Sequence, residues 1–546
     1  MNQHILTCLA AALVVSACGG GTDDSTPTPA TPAATTLTGV AATGAPLAGA
    51  AIKVCDATGA SLSTTAGADG RYTVDVSSLK APLLVAATTG AFVTINSVPQ
   101  PAGATRAFAA LLPSLQANAA NTANVNPLTD KISSEVASAD LSLKGSVQLI
   151  NACNTTGITP ATIASQTSQL RALVLDALKA QGVANADSFD PVTVAMQANH
   201  QGVDAVLDRV VHNRDGWGSG TDDQLRGSKL YDLNLQELSS SNTALDASIA
   251  PWSTAPKRIF IVGDSTASNY PRGVAPRMGW GQVFDRLLAP GAAARVVNLA
   301  QSGRSSRSFI TEGWFQLLAD HLQAGDYLLI QWAHNDEKCD TTGSLDWVNR
   351  CTYPNNAAGE PQVAKTLDKL PAGTTANDLS FQKSLEKYVK LAKDKGATPV
   401  LITPVTRINQ DKTVTTYVEG LFPITKSTHI TSKGDAPGNY TQTVIDTAKA
   451  NDVALVDADA LSIAFYNSIG VGTGGADATG GWRDYYLAVR DATTYPFYAS
   501  ATTTGHYLNA DRTHSQETGA VKLAGFVAQG IKADTARLSG LIALLK

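Results

Sequence analysis

From Lys257 onward the chain alternates short apolar runs with helix-like stretches, and this alternation restricts the fold more than any other feature. Arg258–Gly263, Arg295–Ala300, Asp326–Ala333, Thr398–Thr403 and Ala454–Asp457 read as strands, with helical segments between them. Antiparallel neighbours need only a tight turn, whereas parallel neighbours need a crossover of a dozen or more residues, usually a helix. The pattern over 257–546 therefore predicts an α/β domain: a five-stranded, doubly wound parallel sheet with helices on both faces, three layers in all. The clearest helix runs from Asn377 to Lys395, with Asn377 as N-cap, Leu385, Tyr388 and Ala392 along one face, and Gly396 beyond its end. In sheets of this kind ligands sit outside the carboxyl ends of the strands. That rule says where to look for chemistry.

The preceding half has a different texture. At 546 residues, 44% apolar and 16% charged, the chain has length for two to four domains and material for their cores. Its net charge of −5 and lack of a long basic block argue against nucleic acid as a partner. Residues 19–36, rich in Gly, Thr, Pro and Ala, read as a flexible tether. Over 37–110, runs such as Ala51-Ile52-Lys53-Val54-Cys55 and Arg71-Tyr72-Thr73-Val74 alternate with turn signals such as Asp56-Ala57-Thr58-Gly59, as in a small β-sandwich. Residues 111–250 read as mainly helical, with apolar periodicity over Ile163–Gln181 and Val203–Val211 and a loop over Asn213–Thr221. His200 and His212 are expected as surface or capping residues, since nothing beside them suggests chemistry.

Three features at the predicted rim carry chemistry. The apolar run Ile259-Phe260-Ile261-Val262 breaks into Gly263-Asp264-Ser265-Thr266, placing Ser265 one step past the first strand; an ordinary strand-to-helix turn would use the same residues. A nucleophilic serine needs a base, and among eight histidines His514 stands in Asp511-Arg512-Thr513-His514 before a helix expected over Ser515–Lys532. A carboxylate three residues upstream can orient the imidazole and stabilise its cation, although an Asp–His capping pair has the same spacing. Acyl transfer also needs donors for a developing oxyanion. Gly303 follows the second strand and Asn335 the third, and each by itself could be a turn residue.

Taken in order, Ser265, Gly303, Asn335 and Asp511-x-x-His514 resemble the four signature blocks of the SGNH (GDSL) hydrolases. More closely, Gly263-Asp264-Ser265-Thr266, Gly279-Trp280-Gly281, Gly303-Arg304-Ser305-Ser306-Arg307-Ser308-Phe309, Glu312-Gly313, His334-Asn335-Asp336 and Asp511-Arg512-Thr513-His514 look like rhamnogalacturonan acetylesterases over roughly 257–535. The resemblance implies a three-layer flavodoxin-like domain, with Ser265 as nucleophile, His514 as base and Asp511 orienting it. It further implies an oxyanion hole from the amides of Ser265 and Gly303 and the Asn335 side chain, with no cofactor and no metal. Asp264 would then be structural, and His334 and Asp336 supporting residues. One departure is Ala333, where many relatives have Gly; it unsettles Asn335 only if the turn requires positive φ.

Substrate contacts are read more loosely. The insertion over 470–508 carries Trp482, Tyr485, Tyr486, Tyr495, Phe497, Tyr498 and Tyr507, which either offer platforms for sugar faces or pack the insertion's own core. Trp482 and Tyr485 are the nominated platforms. Arg304, Arg307 and Arg483 are candidates to meet galacturonate carboxylates, though surface arginines without ligands are commoner.

The amino terminus suggests export. Ile5–Val15 is an apolar run too short to span a bilayer and ends in Val15-Ser16-Ala17-Cys18, which resembles a bacterial lipobox, although no Lys or Arg precedes it. Residues 1–18 thus read as a lipoprotein signal with Cys18 acylated, the alternative being an ordinary secretory signal. Four cysteines remain outside it, and in an exported protein they read as disulfides: Cys339–Cys351, close in sequence, is the first expected, with Cys55 and Cys153 left over and their pairing open. The segment 37–110 resembles carboxypeptidase-regulatory-like (transthyretin-like) modules. The combined expectation is a monomeric, membrane-anchored esterase, at the outer membrane, periplasm or cell surface, that deacetylates pectin-like polysaccharide. A lipase or thioesterase on the same scaffold, and a surface glycan-binding or adhesion protein, are the competing readings.

Overall fold

Ile259 and Ile261 face one side of a parallel sheet and Phe260 and Val262 the other, and all four are fully buried. Successive strand residues point to opposite faces, so an uninterrupted apolar run requires cover on both sides. The computed structural model describes residues 34–546 apart from 91, 96–97, 102–105, 144, 215–227, 235, 240–243, 340–343, 363–374, 409–421, 432–436 and 474–478. The leader-like run, Cys18 and most of the tether fall outside the described residues, as does most of the loop expected over 213–221.

The five expected strands form at Arg258–Gly263, Arg295–Asn298, Tyr327–Gln331, Thr398–Ile402 and Ala454–Val456. They lie in the order second, first, third, fourth, fifth, every pair parallel. The direction of winding therefore changes beside the first strand, where a crevice opens at the carboxyl ends. On one face, Phe260, Val262, Leu328 and Ile330 meet Trp314, Leu318, Phe381, Leu385 and Tyr388. On the other, Ile259, Ile261, Leu329 and Ile402 meet Trp280, Phe284, Leu523 and Val527. Each such side chain contributes about 1.5–3 kcal/mol by leaving water. At the opposite, amino end of the sheet Arg258 donates twice to Asp326, at 3.1 and 2.6 Å, with both groups buried.

The helix expected over Asn377–Lys395 is shorter, Phe381–Asp394, and its N-cap is Ser380, whose hydroxyl accepts from Lys383 N. Asn377 lies instead in a 3-10 turn over Ala376–Leu379 held by a Thr375–Asp378 capping box. Phe381 is fully buried, so the helix starts where its apolar stripe starts. Gly396, at φ 71°, ends it.

In the amino-terminal half a four-stranded antiparallel sheet has the order Ser61–Thr65, Ala51–Cys55, Leu83–Thr88, Ala107–Leu112. It shares an apolar core with a three-stranded sheet of Arg71–Asp75, Thr36–Val40 and Ala120–Thr122. The boundary expected at 110 thus cuts a strand, and the sheets continue to Thr122. The outer face of the larger sheet (Leu84, Ala86, Ala109, Leu111) is covered by helices Pro127–Leu141 and Pro160–Ala180, which makes 111–250 a layer on that sheet. Cys55–Cys153 ties the two together, and Cys339–Cys351 forms as well. The helix expected over Val203–Val211 ends at Leu207, because Val211 begins a strand paired with Ser228–Tyr231. His212, expected as a surface or capping residue, has its ring covered by Phe108 with Nε2 3.0 Å from Asp130, whereas His200 is exposed beside Asp208. Among the described residues no helix is long and apolar enough to cross a membrane.

Candidate active site

Ser265 leaves the first strand in a turn built by its neighbour. Asp264, fully buried, accepts from the amide and hydroxyl of Thr266 at 2.9 and 2.8 Å and from the ring of His334 at 3.1 Å. Burial by itself would raise the Asp264 pKa, but the charge and hydrogen bond of His334 and the Thr266 donors bring it down to about 2. Asp264 is therefore a fixed acceptor that shapes the loop. Gln331 at the end of the third strand locks the loop from behind: it donates to Thr266 Oγ1 at 2.7 Å and accepts from Trp280 Nε1 at 2.6 Å. A side chain at Gly279 would collide with Ala267 and Ser268, which explains the small residue beside Trp280.

The Asp511–His514 turn closes onto this loop. Asp511 Oδ1 accepts from the amides of Thr513 and His514, at 2.9 and 3.0 Å, leaving Oδ2 2.6 Å from His514 Nδ1. Asp511 is largely buried, which would raise its pKa, yet the hydrogen bond and charge of His514 bring it to about 2. It is ionised throughout the range in which an imidazole titrates. His514 Nε2 lies 2.8 Å from Ser265 Oγ. The insertion frames the turn from outside, Leu487 bonding through its backbone to both Asp511 and His514. The following helix begins at Glu517.

The expected oxyanion donors lie on adjacent loops. Gln301 N donates to Gly263 O at 2.8 Å, bringing the loop after the second strand against the nucleophile turn. Gly303 has φ 79° with open space where a Cβ would be. Asn335 Nδ2 donates to Arg304 O at 3.1 Å, placing the amide beside Gly303 and leaving a second N–H. Ala333 does adopt positive φ, 147°, inside the core. The condition that put Asn335 in question is met in the backbone, and Asn335 still reaches the Gly303 loop.

His334 and Asp336 hold these loops together. His334 is neutral, its pKa brought down to about 4 chiefly by burial, and its ring packs on His429 at 4.6 Å. Asp336 accepts from the amide and hydroxyl of Ser306 and from Thr352 Oγ1; burial pushes its pKa up to about 7 against those bonds. Beyond them Glu337 binds both Arg407, at 2.8 Å, and His429, at 2.6 Å. Sequence reasoning missed Tyr270, whose hydroxyl donates to Ser265 O at 2.8 Å, and the Glu337–Arg407–His429 cluster. Neither stands in a quoted motif, and Arg407 and His429 approach Glu337 from distant segments.

The nominated substrate residues are placed otherwise. Arg307 is 7% exposed and donates to the carbonyls of Trp347 and Val348 at 2.9 and 2.7 Å. Arg304 pairs with Glu312 at 2.6 Å, and Arg483 donates to Val471 O and lies over Trp482. Trp482, 4% exposed, packs with Ile408, Tyr466 and Tyr486, while Tyr485 packs on Phe465 at 4.9 Å. These aromatics pack in a core that the insertion shares with Ile408 and the helix Ala458–Ile469, since burying such large rings outweighs presenting them to water. Phe497, 52% exposed, is the large aromatic left at the surface among the described residues.

No family model matches the chain. It is similar to the rhamnogalacturonan acetylesterase RhgT of Bacillus subtilis, 31% identical over 278 residues that cover 51% of this chain and 90% of that protein. A rhamnogalacturonan acetylesterase of Emericella nidulans is 36% identical over 152 residues, 28% of this chain and 53% of that protein. Among solved structures, a catalytic mutant of an acetylxylan esterase from Geobacillus stearothermophilus aligns over 50% of this chain and 94% of its own, with 15% identity and TM-score 0.28.

Proposed function

This chain belongs to the SGNH/GDSL hydrolases and is a carbohydrate acetylesterase, and we propose that it removes acetyl groups from pectic polysaccharide of the rhamnogalacturonan type through an acetyl-serine intermediate. The observation that carries the mechanism is the unbroken contact from Asp511 through His514 to Ser265 Oγ. Ser265 Oγ attacks the acetyl carbonyl carbon as its proton passes to His514 Nε2. The negative charge that forms on the carbonyl oxygen is received by the amides of Ser265 and Gly303 and by the free N–H of Asn335. Collapse of this intermediate breaks the bond to the sugar oxygen, which takes the proton from His514. A water, deprotonated by the same imidazole, then attacks the acetyl-serine and acetate leaves. Ser265→Ala should abolish both acetate release from acetylated pectin and labelling by a fluorophosphonate; undiminished release from that variant ends this reading. A lipase or thioesterase would instead prefer long acyl chains, which a chain-length series of nitrophenyl esters measures.

The remaining parts belong to the same proposal. Acylation of Cys18 would anchor the enzyme to a membrane, with several chains each contributing about 0.8 kcal/mol per buried methylene. The paired sheets over 37–110 and onward would be a carboxypeptidase-regulatory-like module holding a monomeric catalytic domain away from that membrane. Membrane fractionation of wild type against Cys18→Ala, followed by sedimentation of the detergent-free variant, tests both; a soluble wild type or a dimer overturns the respective part.

A further inference from the structure

Beside the nucleophile stands a guanidinium that the fold has braced but not neutralised. Arg277 lies with its guanidinium carbon 4.5 Å from the centre of the Tyr270 ring, and the Tyr270 hydroxyl donates to the carbonyl of Ser265. Its backbone pairs with Gln516, and the adjoining Met278 amide donates to Ser515 O, so the segment is fastened to the chain that directly follows His514. On the outer side Tyr498 donates to Val274 O at 2.9 Å, and its phenol is within the field of both Arg277 and Asp511. Arg277 is thus tied to the loop that carries the nucleophile and to the turn that carries the base.

The arginines near this rim differ in what they already bind. Arg304 is held by Glu312, Arg407 by Glu337, and Arg307 and Arg483 by backbone carbonyls. Among the described residues Arg277 has no carboxylate partner, and its recorded side-chain neighbour is Tyr270. A planar guanidinium stacked on an aromatic ring is pre-organised to take a carboxylate in a two-pronged hydrogen bond.

We propose that Arg277 receives a carboxylate of the substrate, so that the enzyme selects acetyl esters whose sugar, or the sugar beside it, is a uronate over esters on neutral glycans. The inference rests on the esterase reading and adds to it a selectivity residue that the sequence motifs do not contain. A charge-assisted contact of this kind corresponds to a tenfold to hundredfold preference, as an order of magnitude. Glutamine at 277 removes the charge; lysine keeps it while losing the fork.

The test measures kcat/KM of the full chain on acetylated rhamnogalacturonan, the same polymer with its carboxylates methyl-esterified, acetylated xylan and nitrophenyl acetate. Methyl esterification should lower the wild-type value about tenfold or more, and Arg277→Gln should reproduce that loss on the acidic polymer alone. On xylan and nitrophenyl acetate Arg277→Gln should stay within about twofold of wild type, with Arg277→Lys recovering part of the acidic preference. Equal losses on all four substrates would mean that Arg277 merely supports Tyr270 and Ser265, and would overturn the proposal. Indifference of wild type to methyl esterification overturns it too. Each of those results leaves the esterase reading standing. A wild type that turns over no ester at all, nitrophenyl acetate included, sinks both.

Discussion

The imidazole of His514 and the hydroxyl of Ser265, 249 residues apart in the chain, meet at 2.8 Å with Asp511 already bonded to the far side of the ring. The two loops that carry them are fastened independently, one by Asp264 and Gln331, the other by Asp511's own backbone bonds and Leu487.

Replacing Asp511 by Asn keeps the shape of the turn but not the acceptor that fixes the imidazole tautomer. We expect kcat to fall by about 10⁴ while KM moves little. Steady-state rates on nitrophenyl acetate read this out; a loss under tenfold would remove Asp511 from the relay.

Asn335→Ala deletes one oxyanion donor and leaves the nucleophile untouched. The expected cost is about 10²–10³ in kcat. Because the side chain also bonds Arg304 O, the melting temperature should be recorded in parallel. A full loss of rate explained by unfolding would count against the assignment.

Ala333 sits fully buried at φ 147°, a conformation costing about 1–3 kcal/mol for a residue with a Cβ. Ala333→Gly should therefore hold or raise stability by up to about 2 kcal/mol, the greater freedom of unfolded glycine offsetting part of the gain. Ala333→Val should lower it. Denaturant midpoints decide the matter, and a glycine variant less stable than wild type contradicts the strain argument.

Stability should respond to pH in two windows of opposite sign. Asp264, Glu337 and Asp511 are each brought down to about 2, burial being outweighed by His334 for the first, by Arg407 and His429 for the second and by His514 for the third. Groups lowered on folding stabilise above their unfolded pKa, so this contribution is present above about pH 4 and lost as pH falls through 2. Asp336, raised to about 7 by burial, behaves oppositely: its contribution is present below about pH 4 and lost as pH rises through 7. Melting curves of wild type and Asp336→Asn at pH 5 and 8 isolate the second window. The variant should lose less on going to pH 8, and parallel losses would refute it.

Local signals carried much of this molecule. The first strand ends where Gly263 ends the apolar run, and the Asp–His turn forms from residues three apart, so short-range pattern sufficed for both. Where the reading failed, a long-range partner had intervened. Ser380 displaced Asn377 as N-cap because Phe381 begins the buried stripe, and His212 left the surface because Asp130 and Phe108 waited in the core.

By itself, then, the order of residues determined the alternation of strands and helices, the rim on which chemistry sits, and the identities of nucleophile, base and orienting acid. All of these depend on periodicity or on neighbours within one turn of chain. Tertiary structure alone decided which charged and aromatic side chains remain available to a ligand. Arg304 and Arg307 were consumed by Glu312 and by backbone carbonyls, and Trp482 was drawn into a core, while Arg277 was left without an anion among the described residues. Whether a side chain is spent or free depends on what distant segments bring within about 4 Å of it, a property of contact and not of sequence spacing.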